Sequence, residues 1–222
     1  MAIILDTAEA MFAQHGYNGV TLSEVALAAN VHAALMRYYF GDKEHLFKAV
    51  FRRRGAEINE LRLKAMAEYR EAAGPHLELE GIIEAYVRPI FLKFAEDEGW
   101  RNYMAIVAYV NSSKGALSGL MAETYHYIAQ EFIADLRRIY PKVDEAELYW
   151  SYQYVTGALT YSIGQTRRID LLSDGRVNSV DGMAMLARFP RALAAAIRAI
   201  CEEPPAPPQR RGAKRAEKPK SE

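Results

Sequence analysis

The chain has 222 residues and a mass of 25.0 kDa, and 50% of its residues are hydrophobic and 25% charged. This composition is typical of a globular protein with a sizeable core, and it excludes disorder of the whole chain. Its 28 basic and 28 acidic side chains balance. The total charge therefore carries no signature of nucleic-acid binding, and any such function must come from a local patch.

Several classes of site and segment are not predicted. The single cysteine, Cys201, excludes an intramolecular disulfide and a multi-thiolate metal site, and it is typical of a reducing cytoplasm. The five histidines lack metal-site spacing, and no glycine-rich cofactor motif occurs. No apolar run reaches about 18 residues, and the apolar N-terminus is too short for a signal peptide. We expect a cytoplasmic protein with no membrane span, metal or cofactor.

Apolar residues recur at three- and four-residue spacing along nearly the whole chain, which predicts an all-α fold of about nine helices. The first helix is expected at about residues 3–15. The segment Thr21-Leu-Ser-Glu24 has capping-box spacing and predicts the start of the second helix. After a break at Asn30, a two-turn third helix is expected at 33–39, and Asp42 is expected to cap a long fourth helix. Two short helices joined by a turn form the helix-turn-helix pattern.

The second half of the chain is richer in aromatic residues. Ten of the 14 tyrosines lie between Tyr86 and Tyr161. Pro89 should kink the helix that contains it. The segment from Pro204 has five of the nine prolines and a net charge of +4, which predicts a disordered tail. Further helices are expected at about 79–96, 100–111, 117–140, 145–166 and 180–202. The predicted domains are a helix-turn-helix domain at 1–47, a ligand-binding and dimerisation domain at 48–203, and the basic, proline-rich tail at 204–222.

Several short segments in the first 47 residues together form a recognisable sequence pattern. They are Ile4-Leu-Asp-Thr-Ala8, Gly16-Tyr-Asn-Gly-Val-Thr-Leu-Ser-Glu-Val-Ala26, Ala29-Asn-Val31, Tyr38-Tyr-Phe-Gly-Asp-Lys-Glu44 and Leu46-Phe47. This pattern resembles the DNA-binding domain of TetR/AcrR-type transcriptional regulators. The chain departs from that family where Asn30 replaces the common glycine and where the basic arm before the first helix is nearly absent. We therefore expect modest non-specific affinity for DNA.

The resemblance implies that the third helix enters the major groove of double-stranded DNA, which is about 12 Å wide. Thr21 and Lys43 lie at helix starts and are expected to bind backbone phosphates. Arg37 reaches either a guanine or a phosphate, and we favour the phosphate. Base reading would rest on His32, Arg37, Tyr38 and apolar contacts with thymine methyl groups. The predicted DNA-binding residues are Thr21, His32, Ala33, Arg37, Tyr38, Tyr39 and Lys43.

Regulators of this resemblance place an inducer cavity in the C-terminal helices, and such cavities are mostly apolar with a few polar groups. Tyrosine, an apolar ring with one hydroxyl, suits a hydrophobic or aromatic ligand that carries an oxygen. The segment 147–158 is also loosely similar to members that respond to fatty-acyl ligands. The predicted ligand-binding residues are Tyr86, Ile90, Tyr103, Val107, His126, Gln153, Tyr154 and Gly157, with Ile106 and Tyr125 on the same helix faces.

Small residues on the last two long helices predict close packing between two copies of the chain. They are Gly157, Ala158 and Gly164 on one helix, and Ala184, Ala187, Ala194 and Ala195 on the other. A twofold dimer would present two recognition helices about one DNA turn apart. The sequence thus predicts a ligand-responsive homodimeric regulator that acts as a repressor at a pseudo-palindromic operator. A helical protein-binding adaptor and a cofactor-independent helical enzyme acting on a hydrophobic substrate remain as alternatives.

Overall fold

The computed structural model describes residues 1–114 and 116–202, and all regular structure in these ranges is helical. The predicted tail at 204–222 lies outside the described residues. None of the described helices combines the length and the apolar character that a membrane crossing requires. In chain order the helices are α1 (Ala2–His15), α2 (Leu22–Ala28), α3 (Ala33–Phe40), α4 (Lys43–Ala73), α5 (Leu79–Glu96), α6 (Glu98–Asn111), α7 (Ala116–Ile139), α8 (Glu145–Ile163), α9 (Arg168–Leu172), α10 (Gly182–Leu186) and α11 (Phe189–Glu202).

The starts of the N-terminal helices are fixed by local hydrogen bonds, as the sequence predicts. The Glu24 backbone N–H donates to Thr21 Oγ1 at 3.3 Å, and the Thr21 N–H donates to the Glu24 carboxylate at 2.8 Å. Asp42 accepts the backbone N–H of His45 at 2.9 Å and so caps α4. Asn30 takes the left-handed conformation (φ 53°) between α2 and α3, which asparagine tolerates better than most residues.

The C-terminal region contains more helix breaks than predicted. The single helix expected at 180–202 is divided into α10 and α11. Pro190 explains the division, because it has no N–H to donate to a preceding turn and is accommodated in the first turn of a new helix. Gln165 and Arg167 both have positive φ values, so α8 ends before residue 166, and the short helix α9 follows. The described residues therefore form eleven helices, two more than the sequence predicts.

The core joins the N-terminal helices to the rest of the bundle. α5 lies at the centre, packing against α4, α10 and α11, and it buries Ile82, Val87 and Phe91. α5 also continues through Pro89. α1 packs against α4 and α6 and buries Ile4, Ala8 and Phe12. Through α1, the predicted N-terminal domain is therefore in direct contact with α6, which lies outside it.

Candidate DNA-binding surface and ligand cavity

Helix α3 is attached to the molecule by little of its own surface. Met36 is completely buried and is the only buried residue in this helix. The ring of Tyr38 is 82% exposed, and Tyr39 and Arg37 are exposed as well. The Tyr38 and Tyr39 rings are in edge contact, with their centroids 5.2 Å apart. A helix that buries so little of its surface is well suited to insertion into a groove of a partner molecule.

The structure places five of the predicted DNA-binding residues on or next to this exposed helix. His32 is its N-cap residue and makes no side-chain capping hydrogen bond, which leaves the imidazole available. Ala33 and Arg37 are one turn apart and so share a helix face. The five residues are His32, Ala33, Arg37, Tyr38 and Tyr39, and all five are exposed.

The other two predicted residues already have intramolecular partners. Lys43 Nζ donates to the Tyr17 carbonyl at 3.0 Å and lies 4.5 Å from the centre of the Tyr17 ring. An ammonium group has three N–H donors, so this contact leaves two for a phosphate. The Thr21 hydroxyl lies 2.8 Å from the Glu24 carboxylate and donates to it. A phosphate that accepts from that hydroxyl would therefore have to displace its bond to the Glu24 carboxylate.

Charge near α3 is sparse. Residues 1–47 contain two Lys or Arg residues, Arg37 and Lys43, against five carboxylates. Most of those carboxylates are paired, either with side chains of α4 or, in the case of Glu24, with the helix cap. The α4 ion pairs are Arg53 with Asp6 at 2.8 Å and with Glu9 at 3.2 Å, and Lys48 with Glu44 at 2.6 Å. The His45 ring nitrogen Nδ1 lies 2.9 Å from the Asp42 carboxylate. Electrostatic attraction to DNA therefore depends on few unpaired cations in this region.

A cavity of about 50 Å³ lies among α4, α5, α6, α7 and α8. Three of the predicted ligand-binding residues line it, namely Tyr86, Ile90 and Val107. The wall is otherwise mainly apolar and aromatic, with a few hydrogen-bonding groups. Further residues of that wall are Ile58, Arg62, Met104, Met121, Tyr125, Tyr152 and Thr156.

Two tyrosine hydroxyl groups in this wall are neutral at physiological pH. Burial raises the pKa of Tyr125 to about 12 and that of Tyr152 to about 12. Tyr103 lies one layer behind the cavity, fully buried, and its hydroxyl is 2.6 Å from that of Tyr125. Tyr103 is therefore placed to hold Tyr125 in position, although it does not line the cavity itself.

Four other predicted ligand-binding residues do not line this cavity. His126 on α7 and Gln153, Tyr154 and Gly157 on α8 are exposed on the outer surface. On α8 the turn that faces the cavity carries Tyr152 and Thr156, four residues apart, so the residues between them point elsewhere. The predicted neighbour Ile106 is buried but does not line the cavity.

Among the cavity residues that sequence analysis missed, Arg62 is the charged one. It is 3% exposed, its Nε donates to the Tyr86 carbonyl at 3.0 Å, and its guanidinium carbon lies 3.8 Å from the centre of the Tyr86 ring. The signal in the sequence is its position, because Ile58, Arg62 and Met66 follow one another at four-residue spacing. All three are buried along one stripe of α4. An arginine inside an apolar stripe is unusual, since charged residues are seldom fully buried.

An exposed aromatic surface lies on the opposite side of α8. The Trp150 and Tyr154 rings are half exposed, and their centroids are 6.2 Å apart. α11 packs beside α8 and exposes small residues. We define this α8–α11 face by Tyr149, Trp150, Tyr154, Gly157, Tyr161, Ala192, Ala195 and Ala199, all of which are exposed. Two of the small residues predicted for a dimer contact are used within the chain instead, since Ala194 is fully buried and Gly164 lies against Ala108.

Comparison with known proteins identifies the family. Residues 4–50 match the family model described as bacterial regulatory proteins, tetR family. Residues 84–196 match the model described as the tetracyclin repressor-like C-terminal domain. The chain belongs to the TetR family. It is therefore a DNA-binding transcriptional regulator, in which α2 and α3 form the helix-turn-helix.

Two transcriptional regulators are moderately similar in sequence to this TetR-family chain. The HTH-type transcriptional regulator BetI of Agrobacterium fabrum is 27% identical over 148 residues, which cover 65% of this chain and 67% of that protein. The BetI regulator of Rhizobium meliloti is 34% identical over 85 residues, covering 38% of this chain and 40% of that protein.

Solved structures of two other regulators share the fold. The fatty acid degradation regulator FadR from Bacillus halodurans has a TM-score of 0.61 at 19% identity, and the match covers 87% of this chain and 97% of that one. FadR from Bacillus subtilis, solved in complex with stearoyl-CoA, has a TM-score of 0.60 at 17% identity with the same coverage. At these identities the likeness concerns the fold alone.

Proposed function

We propose that this TetR-family protein is a homodimeric repressor that leaves its operator when a small hydrophobic or aromatic ligand enters the α4–α8 cavity. One observation carries the proposal. The single helix α4 begins with Lys43 beside the recognition helix and contributes Ile58 and Arg62 to the cavity wall. At 1.5 Å per residue, Lys43 and Arg62 are roughly 28 Å apart along this helix. A shift of α4 at the cavity would therefore be transmitted to the DNA-binding end.

The size of the cavity supports a coupling between ligand and conformation. Its volume is about 50 Å³, whereas ligand sites for drug-sized molecules usually measure about 300–1,000 Å³. A ligand would therefore bind a conformation in which the helices around the cavity have moved apart. A ligand shifts a conformational equilibrium only through its different affinity for the two states. Binding to the expanded state alone would meet that condition.

The α8–α11 face supports the dimer. Exposed aromatic groups that form a contiguous surface commonly mark interaction sites. On this face the rings of Trp150 and Tyr154 lie beside Gly157. A Cβ atom added at position 157 would meet no neighbouring group within 4 Å, so a partner helix could approach closely there. A twofold axis through this face would bring α8 and α11 of both copies into a four-helix bundle.

The type of ligand is supported by the wall of the cavity and by one structural neighbour. The wall combines methionine, isoleucine and tyrosine side chains with few charged groups, which suits an apolar body with a polar end. The Bacillus subtilis FadR structure contains stearoyl-CoA. An acyl-type ligand is therefore our first candidate for this chain.

Binding to the DNA immediately upstream of the chain's own coding sequence tests the proposal. Fluorescence anisotropy at low ionic strength should show binding of a dimer, and Arg37→Ala should weaken it at least tenfold, because the substitution removes an exposed cation from the recognition helix. Arg88→Ala is the matched control, since Arg88 is an exposed arginine on α5 that pairs with Glu84. A protein that remained monomeric and bound no genomic fragment would overturn the proposal.

A further inference from the structure

Arg62 carries a buried charge for which the structure shows no counter-ion. The residue is 3% exposed, and no carboxylate of the described residues lies within 4.0 Å of its guanidinium. The described wall of the cavity contains no aspartate or glutamate. A buried charge costs several kcal/mol unless it is paired, so such a residue is seldom kept without a use.

The neighbouring hydroxyl groups do not supply the missing negative charge. Tyr125 and Tyr152 share the cavity with Arg62, and burial raises the pKa of each to about 12. Both rings are therefore phenols and not phenolates at physiological pH. The ring of Tyr86 offers its π face to the guanidinium at 3.8 Å, which is a favourable contact but carries no net charge.

The hydrogen-bonding capacity of Arg62 is also only partly used. Its Nε donates to the Tyr86 carbonyl at 3.0 Å, in the turn of α5 that precedes Pro89. Its Nη2 is buried and has no hydrogen-bond partner among the described residues. The hydroxyl oxygen of Thr156, across the same cavity on α8, is likewise buried without a partner in that part of the chain. Two polar groups without partners therefore line one small apolar cavity.

We infer that Arg62, assisted by Thr156, binds an anionic head group, and that the ligand is an amphipathic molecule with a carboxylate or phosphate at one end and an apolar chain or ring at the other. The inference rests on the cavity of the proposed function and specifies its ligand class. An anionic oxygen would accept from Nη2 and neutralise the buried charge, and the apolar part would contact Ile58, Met104 and Met121. Charge-assisted bonds of this kind favour an anion over a neutral analogue of the same shape.

Arg62 is also placed to transmit the effect of ligand binding to the DNA-binding end of α4. Arg62 lies on α4 and already bonds the backbone of α5. An anion that pulls on its guanidinium therefore acts on the helix that carries Lys43 at its start. Head-group recognition and the movement of α4 would then be one event.

Matched ligands test the inference directly on the full chain. Octanoate, methyl octanoate and octylamine share one apolar chain and differ in the charge of the head group, and 4-phenylbutyrate with its methyl ester forms an aromatic pair. Isothermal titration should show carboxylates binding at least tenfold more tightly than the esters and the amine. Octanoyl-CoA distinguishes a carboxylate head group from a phosphate head group, because its acyl end is uncharged and its negative charge lies on phosphates.

Arg62→Met should reduce carboxylate affinity at least tenfold while ester affinity changes less than threefold, and Arg62→Lys should keep part of the preference. Operator affinity without ligand is measured in parallel on the wild-type chain and on both variants. Failure of the inference is thereby distinguishable from failure of the proposed function. Equal binding of carboxylate and ester by the wild-type chain, or absence of carboxylate binding with DNA binding intact, would overturn the inference.

Stability gives a second readout that needs no ligand. Arg70 on the same helix is the matched control, because it binds Asp135 at 2.8 Å and Glu131 at 2.8 Å. Arg70→Met should lower the urea midpoint clearly, since it leaves the buried Asp135 carboxylate with only its longer contact to the exposed Arg138, at 3.3 Å. Arg62→Met should not lower it, because an uncompensated charge is removed. A drop for Arg62→Met as large as that for Arg70→Met would show that Arg62 is a structural residue and would overturn the inference.

Discussion

Glu9 of α1 and Arg54 of α4 form an ion pair, with one N–H shared by both carboxylate oxygens, at the junction between the N-terminal helices and the C-terminal helices. Arg54 Nε donates to both carboxylate oxygens of Glu9, at 3.0 and 2.9 Å, and the Glu9 side chain is 2% exposed. The Arg54 guanidinium also lies 4.7 Å from the centre of the Trp100 ring on α6. The pair thereby connects α1, α4 and α6 at one point.

Replacing this buried carboxylate should destabilise the protein. Glu9→Gln removes the negative charge that faces Arg53 and Arg54, and we expect a loss of about 1–3 kcal/mol in the free energy of unfolding, since both arginines retain some contact with water. Urea denaturation followed by circular dichroism measures the change. Asp6→Asn is the control, because Asp6 also pairs with Arg53 but is 59% exposed. Equal effects of the two substitutions would contradict the importance of the buried pair.

Lys43 should contribute to DNA affinity without selecting a sequence. Lys43→Gln removes a positive charge beside the recognition helix while keeping a side chain that can donate to the Tyr17 carbonyl. We expect weaker binding to all DNA by a similar factor. The slope of log affinity against log salt should fall by about 0.9 for each phosphate that the variant no longer neutralises. Anisotropy titrations at several salt concentrations measure this slope.

The control for this prediction lies on the same helix. Lys64 is 73% exposed and pairs only loosely with Glu68, at 3.8 Å, so Lys64→Gln should leave the slope unchanged. An unaltered slope in Lys43→Gln would show that this lysine anchors the Tyr17 loop and does not contact phosphate.

The N-terminal helices could be predicted from sequence because local interactions fix them. The capping box at Thr21 and the cap at Asp42 are formed by residues three positions apart, so the sequence contains all the information they need. The conformation of Asn30 is likewise local. Because Met36 is the one residue of α3 that is buried within the fold, most of this helix is left exposed.

The cavity could be predicted only in part because it depends on which face each helix turns inward. Tyr86, Ile90 and Val107 line it, as expected from their helix faces. On α8 both sides carry aromatic residues, and the sequence does not distinguish Tyr152, which faces the cavity, from Tyr154, which faces outward. Packing of Leu148, Val155 and Leu159 against other helices makes that choice. To predict Arg62 as a cavity residue, one would have to know which stripe of α4 is buried, and helix propensities do not give that information.

The outward orientation of Tyr154 makes the dimer testable. Tyr154→Arg places a charge at the centre of the α8–α11 face and should convert dimers to monomers, because an unpaired charge would be buried between the two copies. Light scattering after size-exclusion chromatography measures the mass, and thermal denaturation checks that the fold remains. Tyr127→Arg is the control, since Tyr127 on α7 is 65% exposed and lies outside this face. Monomers in both variants, or dimers in both, would contradict the proposed interface.

Alkaline pH should destabilise the folded state through the buried tyrosines. Burial raises the pKa of Tyr125 to about 12 and that of Tyr103 above its ordinary value of 10.0, and the two hydroxyls lie 2.6 Å apart. Above pH 10 the unfolded chain therefore loses these protons while the folded chain keeps them. Because the folded state binds more protons, its stability falls as pH rises, by about 1.4 kcal/mol per pH unit for each such group.

Urea denaturation at pH 9, 10 and 11 measures this loss of stability. Tyr125→Phe removes one of the groups that titrate differently in the two states, and the decline between pH 10 and 11 should become shallower by about 1 kcal/mol. The variant also lacks the hydroxyl pair, so its stability at pH 7 should be lower, and the difference between the two chains should shrink as pH rises. Tyr38→Phe is the control, because that ring is 82% exposed. A parallel pH dependence in wild type and Tyr125→Phe would show that the Tyr125 hydroxyl ionises as readily in the folded chain as in the unfolded one.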